Sequence, residues 1–213
     1  MMITTHLASG IFSAVVGDDL VFLDVGADAY HCLADAAACV VLGDRTLSGP
    51  VALVAVLRAG GLVTDRAEPY RVTPLPPIVE RRTGLEDGDA GSMAGFAHLW
   101  GAERRARRSL CGLPLAEVLA LPGEAGPADP DPKHIAQLTS LFARWLPWVP
   151  VQGACLYRAV FLRTLLRRAG QDATWVFGVR TWPFAAHCWL QAGDVVLDDG
   201  VDRVRSFTPI MAA

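Results

Sequence analysis

No stretch of this sequence is apolar for the about 20 residues that a membrane-spanning helix needs. The longest candidates, Val51–Leu57 and Ala159–Leu166, are short or interrupted by Arg163. The first residues, Met1–Ser9, lack the basic start and apolar run of a signal peptide, so the expected location is the cytoplasm. Charge of either sign is also scarce. Charged residues make up 19% and the formal net charge is -3, so there is no long-range pull toward nucleic acid or an anionic membrane, and any such role would need a local patch. The five cysteines (Cys32, Cys39, Cys111, Cys155, Cys188) form no C-x-x-C pair, which argues against both a disulfide framework and a zinc site. Most are expected to be small buried hydrophobes. No Walker-type glycine loop is present, and no cofactor or metal is called for. What the chain has in plenty is hydrophobic residues, 52% of 213, which excludes disorder and is ample for a core.

The pattern along the chain is α+β. Ile11–Val16 and Leu20–Val25 are apolar runs parted by Gly17-Asp18-Asp19, a good hairpin turn. A second turn at Gly26-Ala27-Asp28 leads into Tyr30–Leu33, giving a three-stranded antiparallel meander. Ala34–Leu42 reads as a short apolar helix. A second helix is expected from Pro50 to Ala59, capped by Ser48 and stopped by Gly60-Gly61. Residues 1–65 thus form a small sheet with two helices, 66–92 a proline-rich and charged linker, and 93–213 a second domain. Within that domain Met93–Leu110 is a helix carrying Arg104, Arg105, Arg107 and Arg108. This basic cluster is either a solvated face or a docking patch for an acidic partner or phosphate. Pro122–Pro132 is a further linker. Asp131 then caps a helix that begins at Pro132 and sets Ile135, Leu138, Leu141, Phe142 and Trp145 at helical spacing.

The chemistry gathers in the last block. Cys155 opens a helix in which Ala159, Leu162, Leu166 and Ala169 share its face, and Gly170 ends it. In a first turn, unpaired N–H groups and the helix dipole favour thiolate over thiol. Strands follow at Ala173–Val179, Ala186–Gln191 and Val195–Asp199. A cysteine starting a helix and a histidine, His187, starting a strand fit the architecture of papain-like and transglutaminase-like enzymes. There the imidazole takes the thiol proton and a carboxylate fixes the ring. Register decides which carboxylate. A three-residue loop centred on Gly193 puts Asp199 opposite His187, whereas a two-residue Ala192-Gly193 loop puts Asp198 there. Cys188 is a rival thiol, but strand alternation turns it away from the face of His187.

These blocks resemble the transglutaminase-like leader peptidases of lasso peptide biosynthesis, the B proteins. The similarity lies in Cys155–Gly170 (CLYRAVFLRTLLRRAG), Phe177–Arg180 (FGVR), Pro183–Leu190 (PFAAHCWL) and Val195–Asp199 (VVLDD). Cys188 replaces the usual alanine, and Asp198 stands where asparagine is common. The resemblance implies a Cys155, His187, Asp199 triad that removes a leader peptide from a ribosomally made precursor. It also implies an ATP-dependent, asparagine-synthetase-like cyclase as partner. The N-terminal block (GDDLVFLDV, Gly17–Val25, then Tyr30 and Leu33) resembles that family's PqqD-like winged recognition element. The leader would then add as a strand beside Asp28, Ala29, Tyr30, His31, Cys32 and Leu33, against a helix bearing Val51, Val54 and Leu57. The backbone N–H of Cys155 would serve the oxyanion, with Gln152 as a further donor.

Overall fold

The computed structural model describes residues 1–67, 73–83, 93–110, 112–119, 130–148 and 155–213. The chain opens with strand β1 (Met2–Leu7), followed by the expected meander β2 (Ile11–Val16), β3 (Asp19–Asp24) and β4 (Ala29–Leu33). Two-residue turns suit this hairpin geometry, and Gly17 supplies a positive φ of 59° between β2 and β3. The meander pairs throughout, with Phe12 opposite Leu23 and Leu23 opposite Tyr30.

The next segment departs from expectation. Ala34–Leu42 is no helix. It holds one 3-10 turn at Ala37–Cys39 and a short strand β5 (Val41–Leu42). Asp35 takes φ 55°, a left-handed conformation that interrupts any helix. Thr46–Pro50 forms strand β6, and helix α1 starts after it at Val51 and runs to Ala59. Ser48 therefore caps nothing and shares a hydrogen bond with Thr4 across the β1–β6 pair at 2.7 Å. Strand β7 (Val63–Thr64) completes a sheet ordered β5-β6-β1-β7, separate from the β2-β3-β4 sheet. A winged element of one three-stranded sheet and two helices thus becomes two small sheets and one α-helix.

Strand β3 is buried on both faces. Leu20 and Phe22 join Val54, Leu57 and Leu47 in the N-terminal core. Val21, Leu23, Phe12 and Ala14 join Phe161, Leu162, Phe177 and Cys188 in the main core. The two segments expected as separate domains therefore share a core through β2 and β3.

Part of the expected linker is tied down as well. Strand β8 (Arg81–Arg82) lies along the C-terminal sheet, and Val79 is buried beside Trp189. Residues 68–72 and 84–92 lie outside the described residues, as does most of Pro122–Pro132.

The remaining elements are α2 (Met93–Leu110), α3 (Leu115–Leu119), α4 (Pro132–Trp145) and α5 (Cys155–Arg168), then β9 (Thr174–Arg180), β10 (Ala185–Ala192) and β11 (Val195–Val196). Helix α6 (Val201–Arg205) and strand β12 (Thr208–Ala212) close the chain. The sheet order is β12-β9-β10-β11-β8, with α5 packed on it and α2 packed on α5. Asp131 caps α4 by accepting from the Lys133 and His134 backbone N–H groups, as its position before Pro132 predicts. Among the described residues no helix is long and apolar enough to cross a membrane.

Candidate active site

Cys155 stands at the first residue of α5, whose buried side (Ala159, Phe161, Leu162, Leu165, Leu166) presses on the sheet. His187 lies on β10 and is 4% exposed. Its ring is flanked by Phe207 at 5.1 Å and Trp189 at 6.1 Å between centroids. Space for these rings comes from Gly178, the residue paired with His187 on β9. A Cβ there would sit 2.8 Å from Trp189 and 3.0 Å from Phe207, so the glycine of the FGVR block is a packing requirement.

His187 Nε2 lies 2.6 Å from Asp199 Oδ2. That leaves Nδ1 as the ring nitrogen for the thiol, which hydrogen-bonds to His187. Asp199 is held from behind by the Gly200 N–H at 2.7 Å, with Arg203 Nε at 3.7 Å.

Asp199 reaches the ring by a different route from either register read in the sequence. The turn is Gly193-Asp194, pairing Ala192 with Val195 and Gln191 with Val196. In that register Gly200 would oppose His187. The strand instead ends at Val196 and the chain bends through 197–199. Asp198 turns inward, and its Oδ1 accepts from Leu190 N–H at 2.9 Å. Asp199, the next residue, projects the other way, to His187.

Where β11 stops, the neighbouring edge of β10 keeps one backbone bond, from Leu197 N–H to the Leu190 carbonyl at 2.9 Å, and side chains take over its N–H groups. Leu190 N–H is taken by Asp198, and Cys188 N–H, two residues back, is taken by the sulfur of Cys155. The Cys188 thiol also hydrogen-bonds to Cys155. Alternation does turn Cys188 away from the face of His187, but onto the face where α5 begins. Cys188 is thus a hydrogen-bond partner of Cys155, the candidate nucleophile, which sequence reasoning did not find. Being buried, it keeps its proton, with its own pKa driven up by that hydrogen bond and by burial.

Cys155 is pulled down to about 4, first by the hydrogen bond from Cys188 and further by His187, against the opposing effect of burial. Burial works against the charge on His187, but its hydrogen bonds to Asp199 and Cys155 outweigh that and raise it to about 9. Burial pushes the Asp199 carboxyl up, and the His187 and Gly200 hydrogen bonds more than reverse this, leaving it below its ordinary value. Between these limits the pair is thiolate and imidazolium. That is a nucleophile with its proton donor already charged, the arrangement needed to attack a carbonyl and protonate a leaving amine.

The N-terminal strands reach the same place. Tyr30 of β4 contacts Phe184 in the loop before β10, at 5.6 Å between ring centroids. Its phenol is pushed up to about 12 by burial and by nearby Cys188, Asp28 and Cys155. Trp182 Nε1 donates to Asp19 Oδ2 at 2.7 Å, tying that loop to β3.

Of the other residues expected at the leader site, Ala29 and Leu33 are half-buried, and Asp28, His31 and Cys32 are exposed. All lie at or next to β4, the outer strand of its sheet, whose far edge has no strand partner among the described residues. Val51 is 40% exposed, but Val54 and Leu57 are 0% and 2% exposed. Those two belong to the N-terminal core and present no surface to a peptide, because α1 packs on β1, β6 and β7. Cys39 is exposed as well, so two of the cysteines expected inside are not buried. Gln152 and Cys111 lie outside the described residues.

A family profile described as "Transglutaminase-like superfamily" matches residues 99–212, more than half of the chain. The protein therefore belongs to the transglutaminase-like superfamily, whose members are in general cysteine-dependent peptidases and acyltransferases. Neither the curated proteins nor the solved structures contain a match.

Proposed function

We propose that this protein is a leader peptidase of lasso peptide biosynthesis, a cysteine protease that frees the N-terminus of the core peptide for cyclisation. The observation that carries the reading is the meeting of two features at one place. The nucleophile–base–carboxylate set Cys155, His187, Asp199 stands beside Tyr30 of β4, the strand whose free edge resembles the leader-binding edge of that family. A peptide added along β4 by backbone hydrogen bonding would be delivered to the sulfur with little chain to spare.

In the reaction, the Cys155 thiolate attacks the carbonyl carbon of the last leader residue. The Cys155 backbone N–H, at a helix start, would stabilise the oxyanion. The imidazolium of His187 gives its proton to the departing core amine, leaving a leader thioester. His187, now neutral, takes a proton from water, which attacks the thioester and releases the leader acid and the thiolate. Asp199 holds the ring in the required tautomer and stabilises its cation. An ATP-dependent, asparagine-synthetase-like cyclase would consume the freed amine.

The test mixes the purified protein with the precursor peptide encoded beside its gene, with and without the neighbouring cyclase, and follows masses over time. A leader acid plus free core, formed by the wild type and not by Cys155→Ala, is the expected result. A leader joined to an added amine would mean acyl transfer instead. An uncut precursor, bound equally by both variants with cyclase present, would make the protein a binding scaffold and end the peptidase reading.

A further inference from the structure

At the far end of α5 from the nucleophile lies a second concavity, lined by Gly101, Arg104, Arg105, Arg108 and Arg168. Thirteen residues separate Cys155 from Arg168 along the helix, which places it about 20 Å from the sulfur. We propose that this groove binds a compact polyanion bearing phosphoryl groups, at a site distinct from the peptidase centre.

The argument starts with spacing. Gly101, Arg104, Arg105 and Arg108 recur at i, i+3, i+4 and i+7, so one face of α2 carries three guanidinium groups. The opposite face, Leu99, Ala102, Glu103 and Ala106, is buried. The fourth cation comes from a different element. Arg168, in the last turn of α5, lays its guanidinium against Gly101, where a Cβ would come within 3.3 Å of Nη2. A side chain at 101 would crowd the Arg168 guanidinium by a few tenths of an ångström, so the glycine gives that group room close to α2.

Several arginines elsewhere in the chain carry a counter-charge that those around this groove lack among the described residues. Arg163 and Arg167 are paired with Asp172, Arg81 with Asp194, and Arg203 lies near Asp199. Arg107, on the same helix, pairs with Glu103 at 3.6 Å. Glu103 is the sole acidic residue of α2, and it turns inward to accept from the Tyr157 hydroxyl at 3.0 Å. Among the described residues no carboxylate pairs with Arg104, Arg105, Arg108 or Arg168. A chain with formal net charge -3 thus gathers four cations, with no paired carboxylate among the described residues, around one hollow of about 340 Å³.

Guanidinium forks match phosphate oxygens two at a time, and several converging on one hollow favour a multiply charged, compact group. An extended acidic peptide would be better served by charges strung along a surface.

The site does not depend on the peptidase reading and is tested separately. Calorimetric titration and thermal melting would use pyrophosphate, ATP and an oligo-aspartate peptide, all at physiological ionic strength and without divalent cations. The proteins would be the wild type, Arg168→Gln, and the double variant Arg104→Gln with Arg168→Gln. Unchanged Cys155 alkylation would certify the fold of each variant. The expected result is saturable pyrophosphate binding with a raised melting temperature, weakened about tenfold or more in the double variant, since each lost charge-assisted contact is a large fraction of such an affinity. Equal affinities for pyrophosphate and ATP would identify a free phosphate chain as the ligand source, and a much tighter ATP would identify a nucleotide. The proposal fails if pyrophosphate binding vanishes at physiological salt, if the double variant binds as the wild type does, or if oligo-aspartate binds as tightly as pyrophosphate.

Discussion

Replacing Cys188 by alanine isolates the contribution of a single thiol to the nucleophile. Cys188 supplies two hydrogen bonds to Cys155, one from its backbone N–H and one from its S–H. Alanine removes only the second, and leaves His187 and the N–H in place. A hydrogen bond to a charged group contributes about 1.5–3 kcal/mol, and a thiol is a weak donor, so the lower figure applies. At about 1.4 kcal/mol per pKa unit, the Cys155 thiol should rise by about one unit, from about 4 to about 5. The sign is fixed: losing a donor to the anion favours the protonated form, so the acid limb of reactivity moves to higher pH. At neutral pH the thiolate stays fully formed in both proteins. The rate there should hold or rise slightly, because a more basic thiolate is the better nucleophile. The assay is iodoacetamide alkylation of Cys155 from acid to neutral pH, read by peptide mass. Loss of one buried sulfur should cost stability by about 1 kcal/mol, so cooperative unfolding of the variant is the accompanying control. An acid midpoint that stays put or moves down would refute the hydrogen-bond argument. So would a collapse of the neutral rate in a protein that still unfolds cooperatively.

Asp199→Asn should cut turnover about 10³–10⁴-fold by losing the charge that fixes the His187 tautomer. Asp198→Asn should stay within a few-fold, because an amide oxygen still accepts from Leu190 N–H; steady-state cleavage separates the two, and equal losses would undo the assignment. Cleavage against pH should be bell-shaped with limbs near about 4 and about 9, requiring the thiolate above the first and the imidazolium below the second. A basic limb at the ordinary histidine value would contradict the His187–Asp199 pairing. Gly178→Ala should destabilise by about 1–3 kcal/mol through contact with Trp189 and Phe207, lowering the melting temperature and slowing cleavage together.

What the sequence disclosed best was local. The Asp131-Pro132 start of α4 and the 3.6 periodicity behind it are decided within a few residues, and both appear as read. Cys155 at a helix start is equally local. Features that depend on distant partners were not legible. Ala34–Leu42 has helical composition, yet Val41 and Leu42 pair with Ser48 and Leu47, and Asp35 N–H is taken by Asp19 Oδ1. Strand β1, rich in threonine and short of apolar alternation, exists because β6 and β7 flank it. The carboxylate assignment came from the resemblance and not from register, since both weighed registers misplaced the turn by a residue. Strand alternation placed Cys188 on the correct face, but only the docking of α5 shows that Cys155 waits there.

That docking also bears on why the N-terminal sheet belongs to the same folded unit. The loop at 181–184 leads directly into β10 and His187. Its Trp182 and Thr181 both hydrogen-bond to Asp19 at the start of β3, and its Phe184 meets Tyr30 on β4. Asp19 is 3% exposed and also accepts from Asp35, so it is a fixed point and not a mobile surface contact. A ligand strand added to β4 would press on Tyr30, which lies on the candidate recognition strand and meets Phe184 of the loop feeding the histidine. Displacements of β3 or β4 would therefore act on the loop before β10 through Trp182, Thr181 and Phe184, side chains that lie at or near the surface. On this geometry β3 and β4 lie beside the candidate active site, and detaching them would expose the apolar face of Val21 and Leu23, which belongs to the main core.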